Sequence, residues 1–136
     1  MSYSNASIHQ YRKSSVDSAS PLKLVVMLYD GALRFLNQAK VAMQQKDYER
    51  QNDQCKRAQD IISELMSCLD RERGGEIAES LMSLYVFTYD RIVQANIEDN
   101  ELFIDQAMKV LGDLRESWAE LEKTTTGEQI GYAQAS

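Results

Sequence analysis

Long runs of helical periodicity separated by very short breaks leave this chain few ways to fold. Apolar residues recur at three- and four-residue intervals from about residue 20 to 45, 47 to 70, 76 to 97 and 100 to 123. No segment alternates with period two for long enough to suggest a sheet. Helices joined by a few residues pack as antiparallel neighbours, so the pattern predicts an all-α, antiparallel up-down four-helix bundle.

Local signals place the ends. Ser20 suits an N-cap, and Pro21 fits the first helical position, where a missing N–H costs nothing. Lys46-Asp47 breaks the first run, and Asp47 caps the second. "DRERGGE" over 70–76 reads as the clearest loop, with Gly74 and Gly75 suited to left-handed backbone. Asp99 or Asn100 caps the last helix. The expected layout is a partly ordered N-terminal clasp over 1–17, a bundle over 18–123 and a flexible tail over 124–136.

The faces of the helices are unequal. In the second run Tyr48, Cys55, Ala58, Ile62, Leu65, Met66 and Leu69 form one stripe. In the fourth, Phe103, Ile104, Ala107, Val110, Leu111, Leu114, Trp118 and Leu121 point inward. The first run spreads Leu22, Leu24, Val25, Val26, Leu28, Tyr29, Leu33, Phe35 and Leu36 over about 200°, with Met27 beyond even that arc. The third spreads Leu81, Met82, Leu84, Tyr85, Val86, Tyr89, Ile92 and Val93 as widely. A single packing partner needs a stripe only a little over ~100° wide. Either each helix touches several neighbours in the core, or part of the arc forms a groove for a partner's apolar helix.

Reactive chemistry finds little support. His9 is the only histidine and has no visible scaffold, so no nucleophilic triad is expected. Di-metal bundles need Glu-x-x-His pairs, which the chain lacks, and no phosphate-binding glycine loop occurs. No catalytic residue, metal or cofactor is expected. Cys55 and Cys68 on one helix would stand about 20 Å apart, too far for a disulfide. Gly31 and Gly112 interrupt helices and suggest close approach by a neighbour. Asp30 and Arg34, four apart, are expected to pair. A net charge of −6 argues against nucleic acid, and no apolar run is long enough for membrane insertion or a signal peptide. A cytosolic protein is the expectation.

"IHQYRKSSVDSASPLKLVVMLYDGALRFLNQA" resembles the opening of the flagellin export chaperones, the FliS family, through Tyr11, Val16, Ala19-Ser20-Pro21, Met27 to Gly31 and Ala39. "LYVFTYDRIVQANIEDNELFIDQAMKVLGDLRESW" is similar to the family's other half, through Leu84-Tyr85, Ala95-Asn96-Ile97 and Leu114 to Trp118. Lys23 departs from the pattern, since relatives often carry there the Glu of a capping box. The resemblance implies a small chaperone that holds the disordered C-terminal segment of flagellin as helix, prevents early polymerisation and delivers it to the flagellar type III export gate. Carried onto this chain, it points to Ile8 and Tyr11, which either bind cargo or merely pin the N-terminus. Together with the apolar arcs, the candidate partner-binding set is Ile8, Tyr11, Leu22, Val26, Met27, Tyr29, Tyr85 and Tyr89. The expected state is a monomer or weak homodimer. An adaptor bundle that docks folded partners is the alternative.

Overall fold

The computed structural model describes residues 21–124. They form helices α1 (Pro21–Gln44), α2 (Tyr48–Ser67), α3 (Arg71–Glu98) and α4 (Glu101–Thr124). The expected all-α four-helix bundle is therefore the observed fold. Ser20, the 1–17 clasp and the tail beyond Thr124 lie outside the described residues.

The helix ends follow from local chemistry. Lys46 takes a left-handed φ of 58°, and the Asp47 amide then reaches back to the Ala42 carbonyl at 2.9 Å. The Asp47 side chain accepts from the Arg50 amide and caps α2. Asp99, at φ 54°, closes α3, while the Asn100 side chain accepts from the Leu102 amide at 3.0 Å and opens α4. The 70–76 segment departs from expectation. Asp70 caps a short helical turn beginning at Arg71, and only Gly75 breaks it, at φ 52° and ψ −125°. Glycine alone visits that region cheaply, so one residue, not seven, makes the corner.

Consecutive helices pack against each other, and α4 closes the square against α1. Lys40 meets Asp105 and Asp30 meets Arg115, so numbering falls on α4 as it rises on α1. Gln51 meets Asn96 and Gln59 meets Tyr89 in the same sense between α2 and α3. Both pairs are antiparallel. Asp30 thus spends its charge on Arg115 at 2.8 Å and not on Arg34, whose guanidinium lies 5.1 Å from the Phe35 ring. An adjacent helix offered better geometry than the next turn.

The core answers half of the question raised by the wide arcs. On α1, Leu22, Val25, Val26, Leu28, Tyr29, Ala32, Leu36, Ala39, Ala42 and Met43 are all buried. Helix α1 touches α2 on one side and α4 on the other, and Tyr29 reaches across the diagonal to Tyr85 on α3. These contacts bury most of the arc, with Leu24, Leu33 and Phe35 half-buried. On α2, Gln51 and Gln54 are buried while Tyr48 is 52% exposed, so the inward stripe begins later than expected. On α4, Ile104, Ala107, Leu111 and Trp118 are buried, and Phe103, Val110, Leu114 and Leu121 are half-buried. An alanine at Gly31 would place its Cβ 3.1 Å from Ile61 Cδ1, whereas nothing lies within 4 Å at Gly112. Only Gly31 marks a close helix approach.

Candidate functional site

Helix α3 buries far less than its apolar content allows. Its buried positions are Ala78, Leu81, Tyr85, Thr88, Ile92 and Ala95, a single stripe at alternating three- and four-residue steps. The remaining apolar side chains fall on either flank. Toward α2 lie Val86, Tyr89, Val93 and Ile97, spaced to share one face. Val86 is 53% exposed and Ile97 71%. Toward α4 lie Leu84 and Phe87, with Arg91 held between the Phe87 and Phe103 rings at 5.6 and 4.8 Å.

The α2 flank has the shape of a seat. An open hollow of about 460 Å³ runs between α2 and α3, lined by Ser63, Met66, Val86, Tyr89, Asp90 and Val93. Gln59 donates to the Tyr89 hydroxyl at 3.2 Å and holds that ring against the wall. Farther along, Asn96 donates to Asn52 at 2.8 Å. Gln51 donates to both Asn96 Oδ1 and Asp99 Oδ1, at 3.1 and 2.8 Å. These polar ties pin the α3–α4 turn to α2 at one end and leave the apolar stretch open beyond them.

The interior beneath is tightly ordered. The Tyr29 and Tyr85 hydroxyls lie 2.5 Å apart, with ring centroids at 6.3 Å, and Trp118 Nε1 donates to the Tyr29 oxygen at 3.2 Å. Thr88 donates to the Leu84 carbonyl, which satisfies its buried hydroxyl. Cys55 is buried, and Cys68 is half-buried with its Sγ donating to Glu64 Oε2 at 3.6 Å; burial pushes the Cys55 thiol up to about 12. Among the described residues, no group of three or more His, Cys, Asp or Glu side chains is placed to hold a metal ion, and no helix is long and apolar enough to cross a membrane.

Of the candidate binding residues, Tyr89 lines the hollow, and Met27 is half-buried on α1. Leu22, Tyr29 and Tyr85 have no exposed surface and Val26 has 7%, so they lie in the core. Ile8 and Tyr11 fall outside the described residues. Sequence reasoning missed Ser63, Met66 and Asp90 as lining. It placed Val86 and Val93 in the wide arc without picking them for the site. Their signal was the spacing of Met82, Val86, Tyr89, Val93 and Ile97, but periodicity alone cannot say which flank of a helix its neighbours leave bare.

Fold and hollow together define a class: a small antiparallel four-helix bundle with an apolar groove along one helix pair. Within it, this chain belongs to the FliS family, described as flagellar protein FliS, which matches residues 3–125. It is 39% identical over 119 residues to the flagellar secretion chaperone FliS of Vibrio cholerae, covering 85% of this chain and 88% of that protein. The Campylobacter jejuni protein of the same name is 38% identical over 125 residues, covering 92% and 98%. That of Bacillus subtilis is 36% identical over 121 residues, covering 89% and 90%. The resemblance carried by the Met27 to Gly31 segment and by the Leu114 to Trp118 segment is thus a family relationship spanning nearly the whole chain.

Proposed function

We propose that this protein is a cytosolic, non-enzymatic chaperone for flagellin, which seats the flagellin C-terminal segment as a helix in the α2–α3 groove. The observation that carries the reading is the α3 stripe of Val86, Tyr89, Val93 and Ile97, of which Val86 and Ile97 stand exposed and Tyr89 and Val93 are only half-buried. An amphipathic helix would bury it through anchors at i, i+3/i+4 and i+7. The names of the relatives, flagellar secretion chaperones, supply the setting. A client whose apolar helix face is covered before export cannot pair with other copies, and the chaperone then hands it to the flagellar type III export gate.

Ordering a disordered client costs free energy, so a long contact is required. Tyr89 supplies direct contact in the groove, while the half-buried Met27 on α1 meets a client only where it continues beyond the groove, and a thioether adapts readily to a partner's surface. Leu22, Val26, Tyr29 and Tyr85 act from beneath, by keeping α1 and α3 at a fixed spacing. Ile8 and Tyr11 add to the cargo contact from the N-terminal segment. The free chaperone is a monomer or weak homodimer, its net charge of −6 opposing self-association.

Titrating the chain with a flagellin C-terminal peptide, followed by circular dichroism, tests the proposal. Helicity should exceed the sum of the separate spectra. Binding without helical gain would favour an adaptor for folded partners, and no binding would remove flagellin as client.

A further inference from the structure

The two lips of the α2–α3 groove carry opposite charges. On the α3 lip stands Asp90, which lines the hollow with a side chain 61% exposed. Its nearest cation, Arg91, bonds it at 2.8 Å but rests between aromatic rings on the opposite flank of α3. The Asp90 carboxylate therefore remains open to a second cation. On the α2 lip stands Lys56, two helical turns before Ser63 and hence on the same face. Lys56 is exposed and, among the described residues, makes no ion pair. Counting from the Gln59–Tyr89 contact, antiparallel packing sets Lys56 within about one turn of Asp90 along the groove.

A helix lying in a groove with its apolar stripe down has two flanks, fixed relative to its own N-to-C direction. Turning it end for end exchanges the lips those flanks meet. Unlike lips therefore distinguish the two directions, whereas like lips or neutral lips would not. We infer that Lys56 and Asp90 set the direction in which the cargo helix lies, favouring a helix with an acidic residue on the Lys56 side and a basic residue on the Asp90 side. The inference rests on the α2–α3 groove being the cargo seat. Each exposed pair changes affinity up to about twofold in either direction, so replacing two attractions by two repulsions gives a directional preference on the order of tenfold.

The test uses the full chain and a designed amphipathic peptide of about 18 residues, with leucines at helical spacing, glutamates along one flank, lysines along the other and a nitroxide at its N-terminus. In the unsubstituted protein, amide signals should broaden at one end of the groove only, near Asn52 and Asn96 or near Met66 and Met82. In the K56E/D90K double variant the broadening should move to the other end. Broadening at both ends in the unsubstituted protein, or at an unchanged end in the variant, overturns the inference while leaving the seat intact. A peptide that perturbs no α2 or α3 signal in the unsubstituted protein overturns the seat itself, and the directional inference with it. Both substituted side chains are solvent-exposed, so a melting temperature within about 2 °C of the parent confirms that the variant reports on the groove.

Discussion

Replacing Val86 and Ile97 together by serine separates the groove from the fold. Fully burying a Val or Ile side chain is worth ~1.5–3 kcal/mol. Val86 still exposes 53% of its surface and Ile97 71%, so covering the remainder would add roughly 1 and 1.5 kcal/mol. The double variant should therefore bind a flagellin C-terminal peptide about 2.5 kcal/mol more weakly, roughly 60-fold in Kd. The bundle should hardly notice. Neither side chain belongs to the buried stripe of α3, and exposed substitutions usually change stability within about 0.5 kcal/mol, near 2 °C in Tm for a chain of this size. Isothermal calorimetry and a thermal melt on the same samples decide the matter. An unchanged Kd would refute the groove as the seat. A loss of Tm as large as that of a core truncation would show that the stripe supports the fold instead.

Two further outcomes probe the packing. Gly112→Ala should raise Tm by about 4 °C, since about 1 kcal/mol of helix propensity is gained where nothing lies within 4 Å. Gly31→Ala should show no such gain, because its methyl meets Ile61 Cδ1 at 3.1 Å and Ile61 is only 3% exposed; equal shifts at both sites would contradict the tight α1–α2 contact. The Cys55 thiol titrates higher in the folded chain, about 12 against an ordinary 9.0. Its contribution to stability is thus complete below pH 9 and is lost as pH rises toward 12, by about 1.4 kcal/mol per unit. Denaturant melts between pH 8 and 11 should show that extra alkaline loss in the parent and not in Cys55→Ala; parallel curves would mean the thiol is accessible when folded.

Much of the fold was legible because its determinants are local. Asp47, Gly75 and the Asp99–Asn100 pair each act on backbone within a few residues, and a 3.6-residue period shows in any helix with one buried face. The 70–76 corner was misjudged in extent because Asp70 caps a single helical turn although two glycines follow it. The Asp30–Arg34 pairing failed because Arg115, remote in sequence, arrives on α4 with a better approach.

The chain alone determined four helices, their order, their antiparallel sense and the family, since periodicity, caps and short connections are properties of neighbouring residues. It also showed that α1 and α3 carry more apolar surface than one partner can cover. Which of the two would keep the excess was decided only by tertiary structure. Helix α1 sits between α2 and α4 with a tyrosine thrown across the diagonal, so most of its arc is buried and none of it is fully exposed. Helix α3 buries one narrow stripe, leaves Val86 and Ile97 exposed and covers Tyr89 and Val93 only in part. The reason is geometric: equal apolar arcs have unequal fates when the bundle closes around one helix more fully than around the other.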